Sequence, residues 1–149
     1  MLDLDLIELK LKASSWREVI EKLGCNMKSK GYVLESYVDA VISREEKLPT
    51  GLPIDDFSVA IPHTDPGHVN ESAIAIATLE EPVEFNMMID PEQKTKVQLV
   101  FLLAVKNPNA QVTLLKTLMS VFQNKELLIN IQNAESKQEI KKLLDCLAV

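Results

Sequence analysis

The sequence predicts an α/β fold in which a mixed, largely central β-sheet is flanked by helices on both faces. Residues 97–105 are nearly all apolar, which is typical of a central strand covered on both sides. Helical periodicity occurs at both ends of the chain, and strand-like runs occupy the middle. A chain of 149 residues is long enough to bury a hydrophobic core, so we predict a single domain over residues 1–149.

The first third of the chain predicts a strand followed by two helices. Residues 1–12 alternate loosely between leucine and polar side chains, which favours a strand. Ser15 opens a capping-box pattern, and apolar residues then recur with helical spacing until Gly31 ends the helix. A second helix is predicted over about 34–46, because Pro49 prevents a longer one.

The middle of the chain predicts the strands of the sheet. Residues 50–53 contain glycine and proline and are predicted as a loop, and β-favouring residues then predict a strand over 57–61. Residues 71–79 are apolar with small side chains on one face, which indicates a strand with a helix packed closely on it. Residues 83–85 are predicted as a short edge strand, and a polar loop separates them from the central strand 97–105.

The last third of the chain predicts three helices. Asn109 has a suitable side chain for the N-cap of the first, whose apolar stripe includes Leu114 and Leu118. The other two helices are predicted over about 124–132 and 135–147.

Composition argues against several classes of function. A net charge of −6 is unlike a nucleic-acid-binding protein, which needs a basic face toward phosphate. No apolar run approaches the roughly 18 residues that span a bilayer, so no membrane insertion is expected, and the acidic N-terminus is unlike a secretory signal. Cys25 and Cys146 are far apart and fit no metal or redox spacing, which indicates packing residues of a cytoplasmic protein.

His63 has the most informative position in the chain. It follows the apolar run Val59-Ala60-Ile61-Pro62, so a buried strand would hold its imidazole at the edge of the sheet. The chain has two histidines, and the other, His68, follows a Pro-Gly turn. Near neutral pH an imidazole is largely unprotonated and nucleophilic, so His63 is a candidate for chemistry.

Four interpretations of His63 stay open on the residues alone. It is a histidine satisfied within its loop, or it is a metal ligand together with His68 and Asp65, although no fourth ligand is apparent. It is an acid–base catalyst of a hydrolase, although no nucleophile motif accompanies it. Or its imidazole itself accepts a phosphoryl group, which requires an exposed ring, a partner that fixes the tautomer and a few donors for phosphoryl oxygens.

Two short segments resemble the signature stretches of a known family. Residues 43–51 read Ser-Arg-Glu-Glu-Lys-Leu-Pro-Thr-Gly, and residues 59–63 read Val-Ala-Ile-Pro-His. In this order they resemble the enzyme IIA family of the sugar phosphotransferase system with the mannitol/fructose-type fold. The strand 97–105 and the following Asn-Pro and Gln-Val pairs are also similar to that family. The Pro-Thr-Gly and Asn-Pro forms are most similar to its galactitol-type branch, and the resemblance covers nearly the whole chain.

The resemblance implies a function and the residues for it. His63 would accept a phosphoryl group from the histidine phosphocarrier protein and pass it to a cysteine of a cognate enzyme IIB, for uptake of galactitol or a related polyol or sugar. Arg44 would steady the phosphoryl charge with parallel donors, or would only form a salt bridge at a helix end. Thr50 would donate its hydroxyl to the phosphoryl group or only cap a turn. No cofactor and no resident metal are implied.

Two positions depart from the mannitol-type relatives. Those relatives carry a second histidine in the stretch that corresponds to residues 106–111, and we align Asn109 with it. Asn109 would contact phosphate through its amide or serve only as an N-cap. The relatives also have glycine after the first histidine, where this chain has Thr64, whose hydroxyl or N–H would contact the phosphoryl group. His68 lies outside the matched motif and is expected to face solvent.

Two other functions remain as alternatives. A regulatory protein that modulates a target through its phosphorylation state would use the same site as a transport component. A metal-dependent enzyme is a third class. The acidic net charge suits an encounter with a carrier that is basic around its own histidine.

Overall fold

The structure, a computed structural model, describes residues 2–147 and contains a five-stranded mixed sheet. Its strands are β1 (Ile7–Leu11), β2 (Gly51–Ile54), β3 (Phe57–Ala60), β4 (Ala73–Asn86) and β5 (Lys94–Ala104). They lie in the order β1-β4-β5-β3-β2. The β1–β4 and β3–β5 pairs are parallel, and the β2–β3 and β4–β5 pairs are antiparallel. The prediction of a mixed sheet is confirmed.

Helices cover both faces of this sheet. They are α1 (Trp16–Ser29), α2 (Tyr37–Lys47), α3 (Pro108–Phe122), α4 (Lys125–Gln132) and α5 (Lys137–Leu143). One buried apolar cluster joins α1 and α2 to one face, and another joins α3, α4 and α5 to the opposite face. Neighbouring residues of β5 belong to different clusters, Phe101 to the second and Leu102 to the first, because side chains alternate across a strand. The predicted two-sided cover is confirmed.

Helices α1 and α2 begin and end largely where local signals predict. Ser15 caps α1, since its side-chain oxygen accepts the Glu18 N–H at 3.2 Å. Gly31 has a φ of +82°, the left-handed conformation that glycine adopts most readily after a helix. The predicted start of the second helix at 34 is too early. The Leu34 N–H donates to the His68 carbonyl at 3.0 Å, which ties this linker to the histidine loop before α2 begins.

Three predicted boundaries in and before the sheet are wrong. Residues 51–53 lie in β2 and Thr50 directly precedes this strand, so the segment is not the predicted loop. The exposed Pro53 is tolerated because β2 lies at the edge of the sheet. Residues 83–85 continue β4 after an irregularity and pair with β5, so they form no separate edge strand. A 3₁₀ turn precedes β1, so the strand predicted over 1–12 begins at Ile7; residue 1 lies outside the described residues.

The N-cap of α3 is Asn107 and not Asn109 as predicted. The Asn107 side-chain oxygen accepts the N–H groups of Asn109 at 2.8 Å and Ala110 at 3.2 Å. Pro108 then occupies the first turn, where its missing N–H costs no hydrogen bond. Within residues 2–147, no helix combines the length and apolarity needed to cross a membrane.

Candidate functional site

The carboxyl ends of β3 and β5 bring the candidate residues to one edge of the sheet. Because these strands are parallel neighbours, the segments that follow them leave the sheet on the same side. The loop after β3 contains His63, and the segment after β5 leads into α3. The Leu103 N–H donates to the Pro62 carbonyl at 3.0 Å, which fixes the start of the histidine loop against β5. The Tyr37 hydroxyl donates to the Leu103 carbonyl at 2.6 Å and anchors α2 at the same edge.

The His63 ring has one nitrogen bonded and the other available. Its Nδ1 lies 2.7 Å from the Ile61 carbonyl oxygen. A carbonyl oxygen only accepts hydrogen bonds, so Nδ1 carries the proton and Nε2 carries the lone pair of the neutral ring. The residue is 9% exposed, which is less than the exposed ring that the sequence predicts.

The surroundings of His63 favour the neutral, nucleophilic imidazole. Burial lowers the pKa of His63 below its usual value, and the nearby positive charge of Arg44 lowers this pKa further. The hydrogen bond to Ile61 and the charge of Asp65 oppose that change. The net direction is downward, so Nε2 is unprotonated at neutral pH.

Arg44 lies in the last turn of α2 and is half-buried. Its Nε is buried and has no hydrogen-bond partner among residues 2–147, and no ion pair of Arg44 is found in this range. The predicted alternative, a salt bridge at a helix end, therefore has no support in the described residues. An unsatisfied guanidinium beside a nucleophile is suited to an anionic group that arrives from outside.

Thr50 belongs to a buried network with Glu45. Thr50 donates to the Glu45 carboxylate twice, from its N–H at 2.7 Å and from its hydroxyl at 2.9 Å. The hydroxyl oxygen of Thr50 also accepts the Ile61 N–H at 3.2 Å. Glu45 is 4% exposed, and burial raises its pKa to about 7 although the hydrogen bonds of Thr50 and the charge of Arg44 act in the opposite direction.

Together these groups are suited to phosphoryl transfer. An unprotonated imidazole nitrogen can attack an electrophilic phosphorus. A fixed cation stabilises the negative charge that spreads over the phosphoryl oxygens in the transition state. Neither requirement involves a metal ion, and among residues 2–147 no three His, Cys, Asp or Glu side chains form a group that could hold one.

Comparison with known proteins identifies the family. Residues 1–146 match the family described as phosphoenolpyruvate-dependent sugar phosphotransferase system, EIIA 2. The chain belongs to this EIIA family. It is therefore a phosphoryl carrier of the sugar phosphotransferase system, as the resemblance in its sequence implied.

Individual relatives of this EIIA chain are moderately similar in sequence and close in fold. It is 32% identical to the galactitol-specific EIIA component of Escherichia coli K12 over 84% of this chain and 85% of that protein. It is 36% identical to the transcriptional regulator ManR of Bacillus subtilis over 72% of this chain but only 15% of that protein. The crystal structure of IIA mannitol from Escherichia coli superposes with a TM-score of 0.79 at 25% identity, covering 97% of this chain and 99% of the other.

The remaining predicted residues of the EIIA chain have different surroundings. Thr64 is 6% exposed and directly follows His63. Asn109 is exposed, and its carbonyl accepts the hydroxyl of Thr113 at 3.2 Å. His68 is only half-exposed, and its Nδ1 lies 2.8 Å from the Ser36 hydroxyl oxygen. The predicted phosphoryl contacts of Thr64 and Asn109 stay predictions.

Two residues with buried polar atoms were given no role by the sequence analysis. Glu45 follows Arg44 in the matched motif, and that position was its only signal. Gln111 shares a helix face with Leu114 and Leu118, and its side-chain oxygen is buried without a partner among residues 2–147. Gln111 therefore lies on the buried face of α3.

Proposed function

We propose that this EIIA chain carries the phosphoryl group on Nε2 of His63. The observation that supports this assignment is the ring geometry: the Ile61 carbonyl holds Nδ1–H at 2.7 Å and leaves Nε2 as the free nucleophile. The donor is the histidine phosphocarrier protein, and the acceptor is a cysteine of a cognate EIIB. These partners are cytoplasmic in a system driven by phosphoenolpyruvate, so we also assign the chain to the cytoplasm.

The transfer needs no proton to be removed from His63. The Nε2 lone pair attacks phosphorus, the bond between phosphorus and the donor imidazole breaks, and the donor nitrogen keeps that electron pair. The ring of His63 retains its Nδ1 proton and becomes a phosphorylated imidazolium. An EIIB thiolate then attacks phosphorus, and the Nε2–P bond breaks to regenerate the neutral ring. Arg44 stabilises the phosphoryl oxygens in both steps with its guanidinium.

Galactitol or a related polyol or sugar is the transported substrate that we propose. The support is the 32% identity with the galactitol-specific EIIA component, most of whose length this chain covers. The test is transfer from the phosphorylated chain to purified galactitol EIIB, compared with mannitol EIIB. Faster transfer to galactitol EIIB is expected, and equal or slower transfer would argue against this substrate.

A regulatory role is the second candidate. Its support is the 36% identity with ManR, although the matched part is 15% of that regulator. In that case phosphorylation of His63 would change binding to a target protein, and no galactitol EIIB would accept the phosphoryl group. Rapid transfer to galactitol EIIB would therefore favour the transport function over this one.

The acceptor residue is tested by mass spectrometry. Incubation with phosphoenolpyruvate, enzyme I and the histidine phosphocarrier protein should add one phosphoryl group in an acid-labile, alkali-stable linkage. His63→Ala should abolish the added mass while circular dichroism stays native. Continued labelling of folded His63→Ala would overturn the assignment.

A further inference from the structure

We propose that Glu45 and Thr50 are positioning residues that aim His63 by holding the backbone of Ile61. We call the hydrogen-bonded series from Glu45 through Thr50 to Ile61 the Glu45 relay. The Glu45 relay does not touch the transferred group. Its role in catalysis rests on the proposed phosphorylation of His63, but its effect on the ring can be measured without any phosphoryl donor.

The Glu45 relay connects the end of α2 to the histidine ring through three residues. The Glu45 carboxylate accepts both the N–H and the hydroxyl of Thr50, at 2.7 and 2.9 Å. This bidentate contact orients the hydroxyl so that its oxygen accepts the Ile61 N–H at 3.2 Å. The Ile61 carbonyl then accepts Nδ1–H of His63 at 2.7 Å. Ile61 thus has its N–H fixed by Thr50 and its carbonyl fixed to the ring.

The backbone after Ile61 has little freedom to compensate for a lost contact. Pro62 restricts Ile61 to extended conformations. The Pro62 carbonyl is bonded to the Leu103 N–H of β5 at 3.0 Å. Removal of the Thr50 contact would therefore leave the buried Ile61 N–H unsatisfied. To find another partner the Ile61 backbone would have to rotate, and this rotation would move the Ile61 carbonyl that accepts Nδ1–H of His63.

The position of Thr50 is also fixed from its other side. A Cβ atom on Gly51 would lie 2.5 Å from the Asn86 carbonyl oxygen, so the β4 backbone packs directly on Gly51. The Gly51 carbonyl accepts the Met88 N–H at 2.8 Å. With Glu45 on one side and the end of β4 on the other, Thr50 is a rigid support for Ile61.

The hydroxyl of Thr50 has no proton left for a phosphoryl group. A threonine hydroxyl donates one hydrogen bond, and this one goes to Glu45. Thr50 is also 3% exposed. Its geometry favours the support of Ile61 over the direct phosphoryl contact that the sequence suggested.

The experiment compares two substitutions of Thr50 that differ in the hydroxyl. Thr50→Ser keeps the hydroxyl, and Thr50→Val removes it at similar volume. Thr117→Val is the matched control, because the Thr117 hydroxyl only bonds a carbonyl within its own helix. Two quantities are measured for each: the ¹⁵N shifts of the His63 ring, and the single-turnover rate of transfer from the phosphorylated carrier at saturating carrier.

In Thr50→Val, the His63 ring should no longer be held in the single Nδ1–H tautomer. The saturated transfer step should slow by roughly tenfold or more, since a small misplacement of a nucleophile lowers the reaction rate strongly. Thr50→Ser should restore both readouts to within about twofold of wild type, and Thr117→Val should change neither. Wild-type ¹⁵N shifts and a wild-type rate in folded Thr50→Val would overturn the proposal.

Glu45→Gln gives a second test of the Glu45 relay if Thr50→Val does not fold. The Thr50 N–H and hydroxyl donate to different oxygens of the Glu45 carboxylate, and an amide replaces one of these oxygens with a donor, so both present hydrogen bonds cannot be kept. The ring should again lose its single tautomer; an unchanged tautomer would overturn the proposal. If wild-type protein takes no phosphoryl group on His63, the proposed function fails, while the ¹⁵N readout still decides whether the Glu45 relay orients the ring.

Discussion

The two arginines of the chain occupy contrasting environments. On the outer surface of α1, Arg17 pairs with Glu46 and lies 4.9 Å over the ring of Trp16, with 53% of its side chain exposed. At the edge of the sheet, Arg44 is half-buried, and its Nε has no partner among residues 2–147. Among the described residues, the exposed arginine has an ion-pair partner, and the buried Nε of the less exposed one has no hydrogen-bond partner.

This difference runs against what stability alone would favour. An exposed ion pair contributes little, whereas an unsatisfied buried donor costs on the order of 1–3 kcal/mol. The neighbouring glutamates differ in burial: Glu46 is exposed and paired with Arg17, whereas Glu45 is buried, accepts two hydrogen bonds from Thr50 and has a raised pKa. At the edge of the sheet near His63, an unsatisfied arginine donor and a buried carboxyl group are therefore kept at a cost in folding stability. Groups in such environments are typical of functional sites.

Substitution of the two histidines should give the largest difference in phosphorylation. His63→Ala should abolish phosphorylation because the nucleophile is gone, and His68→Ala should keep most of it because its Nδ1 bonds only Ser36. Intact mass after incubation with the phosphorylated carrier measures both. Complete loss in His68→Ala would mean that the two imidazoles act together, and the metal interpretation would then need elemental analysis.

The two arginines should differ by about two orders of magnitude in rate. Arg44→Gln should slow transfer roughly a hundredfold, since a preorganised donor to transition-state charge contributes about 3 kcal/mol. Arg44→Lys should recover part of the rate, because it keeps the charge without the bidentate fork. Stopped-flow transfer measures these rates, with Arg17→Gln as the control expected to match wild type. Near-normal rates in folded Arg44→Gln would contradict the role of Arg44.

The buried Glu45 should make the free energy of unfolding depend on pH. The pKa of Glu45 is about 7 in the folded protein against a usual 4.5, so between these values the folded state holds a proton that the unfolded state releases. The stabilisation is complete below pH 4.5 and is lost as pH rises through 7. Its full loss amounts to roughly 3 kcal/mol, because each unit of pKa difference corresponds to about 1.4 kcal/mol.

Urea unfolding at pH 5 and pH 8 measures this contribution. The difference between wild type and Glu45→Gln isolates it from His63, whose lowered pKa gives the opposite slope below pH 6.5. Wild type should lose stability relative to Glu45→Gln as pH rises. Parallel pH profiles for wild type and Glu45→Gln would rule out a raised pKa at Glu45.

Substitution of the two asparagines at the start of α3 should give the smallest effect, a difference in the free energy of unfolding. Asn107→Ala removes the side-chain cap and should cost about 1 kcal/mol of unfolding free energy. Asn109→Ala removes an exposed side chain and should stay within about 0.5 kcal/mol. Urea unfolding at one pH is sufficient, and equal losses would contradict the assignment of Asn107 as the cap.

Several features could be predicted because their signals are local. The cap at Ser15, the glycine after α1 and the apolar run of β5 each depend on residues close in sequence. The position of His63 after an apolar strand is equally local, and the ordered motifs around it were sufficient to predict the family. The extent of the single domain and the phosphoryl contacts of Thr64 and Asn109 stay predictions.

The sequence by itself determined the helices and their apolar faces, the apolar strands β3 and β5, and the histidine that follows β3. Only the tertiary structure decided that Glu45 is buried while Glu46 is exposed, and that the Thr50 hydroxyl bonds Ile61. Adjacent residues of one type carry the same local signal, so their difference depends on which face of α2 packs against the sheet. Burial and hydrogen-bond partners are set by segments distant in the chain, and these set the pKa values of Glu45 and His63.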